Sequence, residues 1–252
     1  MITIKSEQEI AKMRRAGEVV ADLFEVLEKE IKPGVSTAHI DKIAYEYITA
    51  NGCIPSFKNY NGYPASICAS INDEVVHGIP GSRVLKEGDI ISIDLGACYQ
   101  GYHADAARTY PVGRISPEAQ RLIDVTRQSF FEGMKKAKAG NRIGDISSAI
   151  QEFVEANGYS VVEALVGHGI GAHLHESPEV PNFGRPGRGA RLQKGMTIAV
   201  EPMVNMGHYD VYTLDDEWTV VTDDGSLSAH YENTVIITDG KPEYTTLKVV
   251  EK

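Results

Sequence analysis

Lys32–Cys53 reads KPGVSTAHIDKIAYEYITANGC, and Lys138–Tyr159 reads KAGNRIGDISSAIQEFVEANGY. The two segments align without a gap. They are identical at Lys32/Lys138, Gly34/Gly140, Ile40/Ile146, Glu46/Glu152, Ala50/Ala156, Asn51/Asn157 and Gly52/Gly158. Each reads as a helix closed by Asn-Gly, where the glycine takes the left-handed conformation that ends a helix. Self-similarity of this kind marks a duplicated unit, and it changes how every other motif is read.

Working outward, each copy has a helix before it. Ser6-Glu-Gln-Glu9 is a capping box, and Ile10, Met13, Gly17, Val20, Phe24, Leu27 and Ile31 follow at helical spacing. Ser116-Pro117-Glu118 places a cap residue before a proline at the first helical position. Downstream, Gly88-Asp-Ile-Ile-Ser-Ile-Asp94 matches Gly195-Met-Thr-Ile-Ala-Val-Glu201. Both are Ile- and Val-rich runs, read as buried strands that end in a carboxylate. His103-Ala-Asp105 matches His230-Tyr-Glu232, and His77-Gly-Ile matches His168-Gly-Ile. The expectation is one catalytic domain, 1–252, built from two pseudo-symmetric halves at about 6–113 and 116–240, each with antiparallel sheet backed by helices.

A carboxylate inside an apolar run is costly unless it is paired or bound to metal. A pseudo-two-fold relation would bring Asp94, Asp105, Glu201 and Glu232 together near the axis with at least one histidine. Four such acids cannot all ionise unaided. They share protons or they bind cations, and carboxylates with a neutral imidazole suit two divalent ions of the Mn, Fe, Co or Zn kind. Either His77 or His168 is expected to be a ligand. In Gly167-His-Gly-Ile-Gly-Ala-His-Leu-His175 the glycines permit close backbone approach, and His173 is expected to be exposed and idle.

The net charge of −10 and pI near 5.3 argue against a general nucleic-acid or membrane-surface binder. Lys135, Lys136 and Lys138 form a short basic run, read as a solvated helix face. The charged N-terminus has no apolar signal-peptide core, and no apolar run is long enough to span a bilayer. Cys53, Cys68 and Cys98 contain no CxxC pair and read as buried free thiols of a reducing compartment. The expected location is the cytoplasm.

Several motifs together resemble the type I methionine aminopeptidases, of the pita-bread fold (α/β, α+β). They are Tyr60-Asn-Gly-Tyr63-Pro, Asn72-Asp-Glu-Val-Val-His77-Gly-Ile-Pro, Ile93-Asp94-Leu-Gly, Gly167-His168-Gly-Ile-Gly and Ile198-Ala-Val-Glu201-Pro-Met. The likeness runs over essentially the whole chain. It implies hydrolysis of the initiator methionine from nascent polypeptide N-termini, with a small second residue preferred and a bridging metal-hydroxide as nucleophile. It implies metal ligands Asp94, Asp105, His168, Glu201 and Glu232, with Asp105 and Glu232 bridging. Glu201 would be the general base, and His77 and His175 would contact the scissile peptide. Phe57, Tyr60, Tyr63, Leu174 and Trp218 would line the methionine pocket. The family also suggests a monomer that meets its substrates as they leave the ribosome, with no nucleic-acid motif. Between His175 and Glu201 there is no room for the helical insertion of type II enzymes. The rival readings are an Xaa-Pro peptidase on the same fold, a non-catalytic peptide-binding module, and a structural protein with a surface acid cluster.

Overall fold

Ser6 opens the first helix, α1 (Glu7–Glu30), with a reciprocal cap. Its hydroxyl accepts the Glu9 N–H at 3.4 Å, and the Glu9 carboxylate accepts the Ser6 N–H at 2.7 Å. Such a cap contributes about 1 kcal/mol. The helix buries Ile10, Met13, Val20, Phe24 and Leu27 along the face expected from their spacing. Gly17 lies on that face because a Cβ there would come within 2.3 Å of the Thr245 carbonyl oxygen. The computed structural model describes residues 2–248.

The two related segments form helices α2 (Thr37–Ala50) and α4 (Ile143–Ala156), each ending at the expected Asn-Gly. Gly52 and Gly158 have φ of 72° and 84°, which supplies the turn away from the helix axis. Helix α3 (Pro117–Met134) starts at Ser116, whose hydroxyl accepts the Ala119 N–H at 3.1 Å.

In the first half, the fully buried strand Ile67–Ile71 pairs antiparallel with Ile90–Tyr99 and puts Cys68 opposite Asp94. Ile90–Tyr99 then folds back through Gln100-Gly101 onto Tyr102–Pro111, with Gly96 opposite Asp105. Both turn residues have positive φ, the geometry that matches strand twist in a tight hairpin. Here the structure corrects the expectation that the apolar run ends at Asp94. The strand continues to Tyr99, because Tyr102–Pro111 pairs along its whole length and Leu95 and Ala97 stay buried. The second run does stop as expected: Thr197–Val200 ends immediately before Glu201.

In the second half, five antiparallel strands lie in the order Glu243–Tyr244, Asn233–Ile236, Thr197–Val200, Gly167–Gly169, Glu176–Val180. Gly167 lets the strands approach closely, since a Cβ would meet the Ala199 carbonyl oxygen at 2.4 Å. Helices α1 and α2 pack with the first-half strands in one core. Helices α3 and α4 pack with the second-half strands in another.

The halves meet at a seam. The Glu232 N–H donates to the Ala107 carbonyl at 3.0 Å, and the Ala107 N–H donates back at 3.4 Å. The Thr234 hydroxyl accepts the Asp105 N–H at 2.8 Å and donates to the Asp105 carbonyl at 2.9 Å. These bonds fix the segment bearing Asp105 beside the one bearing Glu232. A third connection sets the rim of the site. Val211–Thr213 pairs with Val220–Thr222, which pairs with Glu74–Val76 of the first half. That pairing brings Trp218 near His77, with ring centroids 6.5 Å apart.

Candidate active site

A cavity of about 420 Å³ opens between the halves. Its floor carries Asp94, Asp105, His168, Glu201 and Glu232, and all twelve residues singled out from the sequence border it. Asp94 and Asp105 come from the two arms of the first-half hairpin. His168 projects from the short strand Gly167–Gly169. Glu201 follows its strand, and the Asn182 amide donates to its carbonyl at 2.9 Å, which fixes the chain there. Glu232 sits on the seam.

Ligand atoms of Asp105, His168 and Glu232 lie within 4.8 Å of one another. His168 Nε2 is 3.7 Å from Glu201 Oε1 and 3.9 Å from Asp105 Oδ2. His168 Nδ1 is 2.8 Å from the Gly169 carbonyl. A carbonyl only accepts, so Nδ1 carries the proton and Nε2 is left with a free lone pair facing the acids.

The electrostatics are those of a cluster short of positive charge. Two carboxylates 4.8 Å apart repel by roughly 3–4 kcal/mol at an effective dielectric constant of 20. Burial lifts Asp94 to about 7 and Glu201 to about 8. Burial first, and the neighbouring carboxylates second, push Asp105 and Glu232 well above the usual range. The same burial drives the histidines the other way, His168 to about 3 and His77 to about 4. Asp94 Oδ1, Asp105 Oδ1 and Glu232 Oε1 are buried without any hydrogen-bond donor. Buried anionic oxygens without donors are costly, and divalent cations supply what is missing. The donor set therefore fits a metal centre.

Beside the acids the wall turns aromatic and apolar. Tyr63 and Trp218 pack edge to face with centroids 5.0 Å apart. The Tyr63 hydroxyl is 3.0 Å from each of the Ile67 and Gly78 carbonyls, which locks the ring. Phe57 and Leu174 are buried in the same cluster. Tyr60 lies over His175 with centroids 5.2 Å apart, its hydroxyl 2.7 Å from Nδ1. His77 adopts φ of 61°, a rare backbone state for a non-glycine residue and one that aims a side chain deliberately. His173 is exposed, as expected, although it borders a neighbouring cavity that also touches His175.

Sequence reasoning left three cavity neighbours out of the site. Cys68 and Asn61 line the cavity. His230 is only 1% exposed, both its ring nitrogens lack partners, and Nε2 is 3.6 Å from Glu201 Oε2. The signal for His230 was its place two residues before Glu232, on the same face of an extended segment. For Cys68 it was the pairing of its strand with the one bearing Asp94, which only the register reveals.

Clustered carboxylates and a lone-pair imidazole beside an aromatic and apolar wall define the class: a metal-dependent hydrolase whose reacting bond sits next to a bound side chain. The profile of "Metallopeptidase family M24" matches residues 11–239. The chain is 58% identical to methionine aminopeptidase of Clostridium perfringens, over 98% of this chain and 99% of that one. It is 54% identical to methionine aminopeptidase 1 of Bacillus subtilis, over 95% and 96%. The crystal structure of methionine aminopeptidase from Thermotoga maritima superposes with a TM-score of 0.97 at 45% identity, over 98% and 100%. The chain belongs to metallopeptidase family M24 and, within it, to the methionine aminopeptidases, and it has their pita-bread fold.

Proposed function

We propose that this protein is an aminopeptidase that removes the N-terminal methionine from peptides and nascent proteins, in a single catalytic domain formed by duplication. The observation that carries this reading is the juxtaposition in one cavity of four carboxylates, Asp105 and Glu232 buried and Asp94 and Glu201 half-buried, with His168 and an aromatic wall. Asp94, Asp105, His168, Glu201 and Glu232 would hold two divalent ions of the Mn, Fe, Co or Zn kind. When bound, such ions make water acidic enough to attack at neutral pH and polarise the scissile carbonyl.

The chain's own residues supply the rest. Glu201, ionised once metal is bound, accepts the proton of the attacking water. His175 has Nδ1 engaged by Tyr60, so Nε2 is the atom left to donate to the carbonyl oxygen as it becomes negative. His77, held by its backbone at the rim, contacts the peptide nitrogen and assists the leaving amine. The pocket of Phe57, Tyr60, Tyr63, Leu174 and Trp218 takes the thioether, which favours aromatic neighbours. The likeness to the methionine aminopeptidases further implies a small second residue.

Among the described residues no helix is long and apolar enough to cross a membrane. The reading includes a monomer acting in the cytoplasm on chains leaving the ribosome, as the likeness to the methionine aminopeptidases implies. The test uses metal-stripped protein re-supplied with one ion at a time. Free methionine should be released from Met-Ala-Ser and nothing from Ala-Pro-Ala. Metal-dependent cleavage of Ala-Pro-Ala alone would instead make this an Xaa-Pro peptidase.

A further inference from the structure

Arg108 stands on the strand Tyr102–Pro111, three residues beyond Asp105. Its guanidinium lies between the rings of Phe24 and Tyr231, at 4.9 and 4.4 Å from their centroids. Among the described residues no carboxylate comes within ion-pairing distance of it. Its acceptors are carbonyl and amide oxygens instead. Nη1 donates to the Ala107 carbonyl at 2.7 Å and to the Glu232 carbonyl. Nη2 donates to Asn233 Oδ1 at 2.6 Å and to the Thr246 carbonyl at 3.2 Å. Two of these four acceptors, on Glu232 and Asn233, belong to the second half, and Thr246 follows it in the chain. One planar group thus ties the strand carrying Asp105 to the segment carrying Glu232, at the point where the two carboxylates face each other.

We infer that Arg108 is a positioning residue for the metal centre. Its fork fixes the spacing of Asp105 and Glu232 across the seam, and through that spacing it sets the affinity for divalent metal. The inference rests on the metal reading given above. Two features separate it from ordinary packing. The fork grips Glu232 by its own carbonyl and by the next side chain, so any slip of the guanidinium moves the ligand. Thr234 already ties the Asp105 backbone to the same segment, so Arg108 adds a second tie three residues further along the strand. A planar fork spans two acceptors at once, which a point-like ammonium cannot do.

The experiment titrates metal-free protein with Mn²⁺ by calorimetry, with urea unfolding run in parallel. Loss of an outer-shell partner lowers metal affinity by roughly 10–100-fold. Arg108→Met should fall in that range, and Arg108→Lys should fail to restore affinity although it keeps the charge. Asn233→Ala removes one prong from the other side and should weaken Mn²⁺ in the same direction, which decides the matter if Arg108→Met does not fold. Full rescue by Arg108→Lys would overturn the inference, because charge alone would then suffice. Folded Arg108→Met and Asn233→Ala proteins with wild-type affinity would overturn it as well. A wild-type protein that takes up no Mn²⁺ would instead remove the metal reading itself.

Discussion

The two halves deliver acids to the same cavity by different means. The first half places Asp94 and Asp105 within a hairpin whose arms are ten residues each. The second half places Glu201 and Glu232 just outside four-residue strands, Thr197–Val200 and Asn233–Ile236. Short side chains sit on the long, continuously paired element, whereas Glu201 follows the end of its strand and Glu232 is held by its seam bonds to Ala107. The aspartates inherit their position from the sheet. The glutamates reach in by one extra methylene from backbone that local bonds, such as Asn182 to Glu201, must hold. Equivalent donors therefore differ in how far they can adjust.

The largest expected effect tests whether the halves share the metal load. Asp105→Ala and Glu232→Ala, one from each half, should each abolish methionine release and lower bound metal measured by elemental analysis. Full activity in either would mean that the two halves do not share the metal load. The paired histidines should then divide. His168→Ala should lose metal. His77→Ala should keep it while kcat falls by about a hundredfold or more, the usual contribution of a proton-transfer group. Loss of a metal equivalent from His77→Ala would make His77 a ligand.

The difference in backing elements is sharpened by exchanging side-chain lengths. Asp94→Glu drives the carboxylate one methylene further toward the other acids from a strand whose full pairing leaves the backbone no room to retreat, so it should cost about 1–3 kcal/mol in urea unfolding besides weakening metal. Glu201→Asp withdraws its carboxylate from a strand end and should weaken metal with little change in stability. Equal destabilisation by both would remove the distinction between the halves.

Proton linkage gives a smaller effect whose sign follows from the pKa directions. In metal-free protein Asp94 titrates at about 7 and Glu201 at about 8, against 3.8 and 4.5 when unfolded. The native state keeps protons that the unfolded chain has released, so stability from these groups is lost as pH rises. His77, His168 and His230, lowered to about 4, 3 and 4 from 6.5, act in the opposite sense up to about pH 6.5 and not beyond. From pH 6.5 to 8 the acids alone remain, and the melting temperature of chelator-treated protein should fall. Saturating metal should abolish the decline, because the acids are then ionised in both states. An Asp94→Asn, Glu201→Gln protein that kept the full slope would sink this account.

The parts of this architecture that could be read from the sequence are those fixed by local chemistry. Ser6 and Glu9, Ser116 and Pro117, and the two Asn-Gly ends mark helix boundaries because caps and left-handed glycines act within a few residues. That four acids converge was legible because Asp94 and Glu201 lie in or at the end of apolar runs, and Asp105 and Glu232 recur at matching places in the two halves. What could not be read depends on register or on distant partners. The strand through Asp94 runs on to Tyr99 because a hairpin partner extends it. Cys68 and His230 reach the site by pairing and by the seam. The tie at Arg108 joins residues more than a hundred positions apart, and no local pattern encodes it.

The smallest expected effect lies in the duplicated helices themselves. Ser36 and Arg142 occupy matching positions, yet Ser36 caps α2 by accepting the His39 N–H at 3.3 Å, whereas Arg142 has no acceptor to offer α4. At α4 only the return bond exists, with Asp145 Oδ2 accepting the Arg142 N–H at 2.8 Å. Arg142 instead donates to the Gly189 carbonyl at 2.8 Å, holding the loop between strands Glu176–Val180 and Thr197–Val200. Ser36→Ala should cost about 1 kcal/mol in urea unfolding. Arg142→Ser should add a cap of similar size while losing an exposed hydrogen bond, for a net change within about 0.5 kcal/mol. If Arg142→Ser were destabilising by more than Ser36→Ala, the loop tether would outweigh the cap. The divergence between the copies would then be a structural exchange of one interaction for another.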